Sequence, residues 1–323
     1  MLLYAGKASQ FSFKYSILLD TVKKLKQWRQ SAGNTLILKS GTSETIRDNT
    51  ENIKNISIHP STHLKPLNDE QFGHYLAGLI DGDGHFSSNQ QLVIIFSSLD
   101  IQLAYYIKKM IGFGHVRKIT NKNAYVYIIS NKEGIIRAIN LINGKLRTIN
   151  KFNQVIGNIL AHPKYSSSGT NYAIENIDFK MNESNDFNNH WIAGFSDADA
   201  SFQIKIIDRE DRAVPEIRLN FQIDQKDNYI LLLIKKIFGG NIGYRKSQDT
   251  YYYGSTSFGS AKKVINYFDT FHLQSSKYNN YVKWRKAYII IQEKGHLTER
   301  GVDNIIKLKN SMNRNSVQYK IES

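Results

Sequence analysis

The chain has 323 residues, no cysteine and a formal net charge of +15. This length accommodates two domains or a duplicated pair, and a hydrophobic content of 41% can bury a core. Disulfides, thiolate metal sites and cysteine nucleophiles are excluded; the charge points to a polyanion, nucleic acid before a membrane surface, and no apolar run approaches the roughly 20 residues of a membrane span.

Residues 1–66 differ from the rest. Up to Arg29 the sole acid is Asp20, against Lys7, Lys14, Lys23, Lys24, Lys26 and Arg29. Leu18 to Trp28 suits a short basic amphipathic helix, and Gly33 to Pro66 reads as a polar, flexible leader. Two origins are compatible with it: a mitochondrial transit peptide, or read-through from upstream coding sequence. The bias toward Ile, Asn, Lys and Tyr is the composition an AT-rich gene encodes.

From Asn68 the pattern changes. Asn68-Asp69-Glu70 is a helix-capping sequence. It leads into His74-Tyr75-Leu76-Ala77-Gly78-Leu79-Ile80-Asp81-Gly82-Asp83-Gly84-His85-Phe86, an apolar helix that ends in two carboxylates and runs into a strand. Phe86 to Phe96 reads as a hairpin, Asp100 to Ile111 as a helix stopped at Gly112, Val116 to Ile119 and Ala124 to Ile129 as strands. Gly134 to Ile142 and Phe152 to Leu160 read as further helices.

The motif recurs as His190-Trp191-Ile192-Ala193-Gly194-Phe195-Ser196-Asp197-Ala198-Asp199-Ala200-Ser201-Phe202, 116 residues on. Downstream landmarks repeat at an offset of 126: Tyr125 and Tyr127 with Tyr251 and Tyr253, Lys151 with Lys277. About ten residues are therefore added in the second copy, and the natural place is the loop Asp208 to Pro215. The chain divides into a leader (1–66), a first repeat (67–160), a linker (161–187) with the turn-rich Tyr165-Ser166-Ser167-Ser168-Gly169, a second repeat (188–318) and a tail (319–323). The fold class is α+β, a pseudo-symmetric tandem of two α-β-β-α-β-β-α units. Gly78 and Gly82 share one helix face, as do Gly194 and Ala198. Small residues on one face let two helices approach closely, so the motif helices should pack together and bring Asp83 and Asp199 side by side. Two adjacent carboxylates call for a neutralising cation, and oxygen ligands suit magnesium.

The motif resembles the signature of the LAGLIDADG homing endonucleases of the two-motif, single-chain, intron-encoded type. Leu76 to Gly84 departs from the family's name only at Gly82; the second copy departs at Ile192, Phe195, Ser196 and Ala200. The resemblance covers about Gln71 to Gln318. It implies two saddle-shaped antiparallel sheets that straddle DNA, and a monomeric, magnesium-dependent endonuclease that cuts a long quasi-palindromic duplex to leave 3′ overhangs and promotes intron mobility in the mitochondrion. By the same resemblance, Asp83 and Asp199 are the metal ligands, assisted by the carbonyls of Gly82 and Ala198. Lys277 and Lys151 help the transferring phosphate, and Gln225 orders solvent, with Ser98 as its counterpart. Asp81 and Asp197 are left with local polar roles. An RNA maturase assisting its host intron, alone or alongside cleavage, and an inactive DNA-binding module are the rival readings.

Strand alternation supplies the DNA-facing candidates. Phe202, Ile204 and Ile206 alternate with Ser201, Gln203 and Lys205; Leu219, Phe221 and Ile223 alternate with Arg218, Asn220 and Gln222. Such polar side chains read base edges. Arg117, Lys118, Arg245 and Lys246, at the third strand of each unit, are expected to reach phosphates or bases.

Overall fold

The first motif helix begins where its capping sequence dictates. In a computed structural model that describes residues 55–166, 177–211 and 214–312, the Asn68 side chain accepts from the Gln71 amide at 2.9 Å, and α1 runs Asp69–Gly82. Asp69 and Glu70 face the positive end of the helix dipole. β1 (Gly84–Phe86) and β2 (Leu92–Ser97) follow, then α2 (Ile101–Ile111), β3 (His115–Lys118), β4 (Ala124–Ile129), α3 (Lys132–Ile142) and α4 (Ile149–Val155). The second repeat has α5 (Trp191–Asp199), β5 (Ala200–Ile207), β6 (Glu216–Gln225), α6 (Tyr229–Phe238), β7 (Asn241–Arg245), β8 (Thr250–Ser255), α7 (Phe258–Phe268) and α8 (Lys277–Gln292). It ends on α9 (Glu299–Met312), a helix the sequence reading did not anticipate.

Each repeat forms one antiparallel sheet, ordered β1-β2-β4-β3 and β5-β6-β8-β7. One face of each is core. Phe86, Leu92, Ile94, Tyr127 and Ile129 are buried with Leu103, Ile107 and Ile139 of the helices behind them. In the second repeat Phe202 lies 5.1 Å from Phe221, 5.7 Å from Phe268 and 5.5 Å from both Tyr281 and Trp284. Each such ring contributes roughly 2 kcal/mol through burial.

The register refines the alignment of the repeats. Gly84 pairs with Ile94, and Ala200 with Ile223. The second hairpin is thus 13 residues longer, and three residues are lost before β7, which gives the later offset of 126. Gln225 pairs with Tyr251, whose repeat mate Tyr125 pairs with Phe96. The counterpart of Gln225 is therefore the buried Phe96, not Ser98.

α1 and α5 pack at their glycines. A Cβ on Gly78 would strike the Trp191 carbonyl, and one on Gly194 the Tyr75 carbonyl. One on Gly82 would collide with the Ala198 methyl and come within 3.0 Å of Asp199 Oδ2. The Gly82 departure from the family name thus matches the Ala198 it faces: two methyls do not fit there.

Residues 55–66, which composition assigns to a flexible leader, form an extended strap on the second repeat. Ile56 is 7% exposed, and its N–H and C=O bond the Gln292 amide at 2.9 and 3.0 Å. Arg285, paired with Asp269, donates to the carbonyls of Ser57 and His59 at 2.9 and 3.3 Å. The His63 ring contacts the Leu273 carbonyl at 2.8 Å, and Gln274 donates to Leu64 O at 3.0 Å. Polar sequence docks here because Arg285 and Gln292 satisfy its backbone. The Leu18–Trp28 helix, the read-through candidates before residue 55 and the 319–323 tail lie outside the described residues. So do residues 167–169 of the linker turn and residues 212 and 213 of the long hairpin. The described end of the linker is pinned at Arg147, which donates to the carbonyls of Ser184 and Asp186 beneath the Phe187 ring.

Candidate active site and nucleic-acid interface

The two motif acids of each helix divide their work. Asp81 and Asp197 are buried. Asp81 accepts from the amides of Arg147 and Thr148 at 2.8 and 3.2 Å, from the Thr148 hydroxyl, and from the Trp191 indole at 2.9 Å. Asp197 accepts from the Gln274 amide and the Tyr75 hydroxyl, both at 2.6 Å, and from the Ser275 hydroxyl. Each ties the opposite motif helix to the segment just before α4 or α8. Burial pushes Asp81 up to about 6, against the pull of its hydrogen bonds, and raises Asp197 as well. This saturation leaves them latches.

Asp83 and Asp199 end the helices with oxygens to spare. Asp83 is open to solvent on one side, and among the described residues its carboxylate makes no hydrogen bond or ion pair. Asp199 Oδ2 accepts from Gln225 at 2.6 Å. The surrounding protein, then the Asp199 charge, push Asp83 up to about 6, while Lys277 and Lys151 pull it down. Burial likewise raises Asp199 against Gln225 and the same two lysines. Both acids therefore sit in one electrostatic neighbourhood with both lysines.

The lysines lie at the helix ends. Lys277 Nζ donates to Ala198 O at 2.6 Å and Ser196 O at 3.2 Å; Lys151 Nζ donates to Gly84 O at 2.6 Å. Burial lowers both pKa values. The placements are not symmetric: Lys277 engages the Ala198 carbonyl, whereas Lys151 sits past Gly82 on Gly84. A further asymmetry lies in Asp100, which sequence reasoning did not single out. Its Oδ1 accepts from the Ser276 amide at 2.6 Å, joining the first repeat to the start of α8 beside Lys277. Residues 176 apart in sequence gave no local signal of this.

The donor set suits a hard cation: two carboxylates with free oxygens and backbone carbonyls at adjoining helix ends. Among the described residues no three His, Asp or Glu side chains form a complete metal cage. A cation held here would take its remaining ligands from water and substrate.

The alternation places the polar candidates of the second sheet on its open face. Ser201 pairs with Gln222, Gln203 with Asn220, and Lys205 with Arg218. Asn220 donates to Gln203 and Gln222 at 3.3 and 3.2 Å, Gln222 to Asp224 at 2.9 Å, and Arg245 to Asp224 at 2.7 Å. One expectation needs correction. Asn220 is 2% exposed beneath those neighbours, so it supports the face rather than reaching from it. Arg245, half-buried, is paired with Asp224 and lies 4.6 Å from the Tyr252 ring, which joins it to the polar network. Arg218 pairs with Glu216; Lys205, Lys246, Arg117 and Lys118 are exposed.

A duplicated αββαββ fold, with two acids brought together at the ends of packed helices that each run into an antiparallel sheet, defines the class. Residues 192–288 match the family model described as LAGLIDADG endonuclease. The chain is 62% identical over 317 residues to the uncharacterized 37.2 kDa cox1 intron-2 protein of Schizosaccharomyces pombe, covering 95% of each. It is 28% identical to the intron-encoded DNA endonuclease aI3 of Saccharomyces cerevisiae, over 80% of this chain and 73% of that one. The crystal structure of the meganuclease I-SmaMI bound to uncleavable DNA superposes with a TM-score of 0.59 at 23% identity, covering 75% of this chain and 99% of that one. The chain belongs to the LAGLIDADG endonuclease family.

Proposed function

We propose that this protein is a site-specific homing endonuclease. It would cut both strands of a long quasi-palindromic duplex by magnesium-dependent hydrolysis, leave 3′ overhangs and promote mobility of its host intron. The observation that carries the reading is the juxtaposition of Asp83 and Asp199 at the ends of the packed motif helices. A divalent ion bound there supplies Lewis acidity and an activated water. The chain's own residues do the rest. Asp83 and Asp199, with the carbonyls of Gly82 and Ala198, form the oxygen cradle. Gln225 fixes the Asp199 carboxylate. Lys277 and Lys151 counter the charge that develops on phosphate oxygens. The sheet faces hold the duplex, with Gln203, Lys205, Arg218 and Gln222 at base edges and Arg117, Lys118 and Lys246 nearer the backbone; Asn220 and Arg245 act through the network they share. The protein would act as a monomer, because both halves of the site are in one chain. The cox1-intron relative supports expression from, and action in, the mitochondrion.

The test is cleavage of an intronless cox1 exon-junction duplex by the full-length protein. Cutting should require magnesium and stop with EDTA. Asp83→Asn and Asp199→Asn should each lose double-strand cleavage while still retarding the duplex in a gel. Full cleavage by either variant overturns the assignment.

A further inference from the structure

The open faces of the two sheets occupy the same place in their repeats and differ in chemistry. Ile94 pairs with Tyr127 and Ile223 with Tyr253, so Val93 corresponds to Gln222 and Ile95 to Asp224. On the adjoining strand Val126 corresponds to Tyr252 and Ile128 to Gly254. The second sheet thus presents amides, a carboxylate and a guanidinium in one hydrogen-bonded network. The first presents two cross-strand aliphatic pairs, Val93 with Ile128 and Ile95 with Val126. None of the four is buried, and Ile95 is 49% exposed.

This aliphatic strip has a polar fringe. His115 and Arg117 on β3 pair with Ile128 and Val126, and His85 on β1 pairs with Val93. Arg117 and His115 are exposed. β1, which begins at the residue after Asp83, places His85 beside Val93 of the strip. An exposed aliphatic face normally marks a binding surface. Arg117 at the edge and the net charge of +15 select a polyanion as its occupant.

Resting on the endonuclease reading, we propose that Val93, Ile95, Val126 and Ile128 read the 5-methyl groups of thymines in one half-site. The two halves of the target are then recognised by different chemistry: methyl packing in one, hydrogen bonding in the other. In the major groove thymine is the base that offers an apolar group. Against a G·C edge the same strip would bury donors and acceptors without partners, which is costly. Arg117 at the fringe holds the strip against the backbone. Ordinary RNA carries uracil and lacks the methyl, so the strip also favours DNA. The composition typical of an AT-rich gene agrees with a thymine-rich site.

The experiment starts with the unaltered protein and adds two variants. The full-length chain selects duplexes from a randomised library, and the selected duplex is resynthesised with deoxyuridine for thymidine in one half at a time. Removing a contacted methyl should weaken binding about fourfold per position. The effect should be confined to one half, and Gln222→Ala should relax specificity in the other. Ile95→Thr, a conservative exposed change, should reduce the penalty for uracil. Tolerance of uracil in both halves overturns this inference while leaving the endonuclease reading intact, as does sensitivity in the half that Gln222→Ala alters. Retention of no duplex, or preference for an RNA transcript, overturns both.

Discussion

The indole N–H of Trp191 reaches Asp81 Oδ2 at 2.9 Å across the motif-helix interface. Its repeat mate Tyr75 returns the contact, donating to Asp197 Oδ2 at 2.6 Å. Each first-position acid thus reads the position of the other helix and fixes the segment leading to a lysine. A hydrogen bond to a buried charged acceptor contributes about 1.5–3 kcal/mol. Tyr75→Phe should therefore lower stability by that order while Asp197 keeps Gln274 and Ser275. Denaturant unfolding checks it: an unchanged midpoint would show the latch to be idle.

The fit at Gly82 makes a paired prediction. Gly82→Ala puts a methyl against Ala198 and should cost roughly 1–3 kcal/mol by overpacking. Ala198→Gly removes the opposing methyl, so the double variant should recover most of the loss. Melting temperatures of the four proteins measure the coupling. Additive effects would mean that the two positions do not share the space.

Much of this was legible. The duplicated acids, small-residue faces and strand alternation gave the helix pair, both sheets and the polar face of the second. What stayed hidden required distance or burial. Alternation assigned Asn220 to the correct face but could not show Gln203 and Gln222 covering it. Repeat offsets of 116 and 126 conceal an insertion followed by a deletion, so pairing Gln225 with Ser98 missed by two residues. The polar composition of 55–66 hid its docking, because the partners Arg285 and Gln292 lie more than 200 residues away.

That strap defines a boundary. Arg285, with a side chain 3% exposed, satisfies both Asp269 and the strap carbonyls. Deleting residues 1–66 should lower the melting temperature relative to deleting 1–54, because it removes the buried Ile56 and leaves part of the Arg285 guanidinium without acceptors. Arg285→Ala leaves Asp269 with the Tyr281 hydroxyl but no cation and should cost about 2–3 kcal/mol. Equal melting of the two truncations would show that the strap contributes nothing to stability.

The last prediction concerns acid. Burial drives His190 down to about 4, with His272 and His74 adding repulsion; its ring packs edge-on against Phe271 at 5.1 Å. The unfolded histidine, with a pKa near 6.5, takes up a proton that the folded one refuses. Stability from His190 is therefore complete above about 6.5 and lost as pH falls toward 4, costing roughly 2 kcal/mol between pH 7 and pH 5. Asp81 and Asp83, raised to about 6, have the opposite sign, since the folded state holds their protons more tightly. The net curve mixes these, so the measurement is a difference. Unfolding free energies of wild type and His190→Gln are compared at pH 7 and pH 5. Wild type should lose about 2 kcal/mol relative to the variant over that interval. Parallel pH curves for the two proteins would mean that the folded His190 binds its proton as readily as the unfolded chain does.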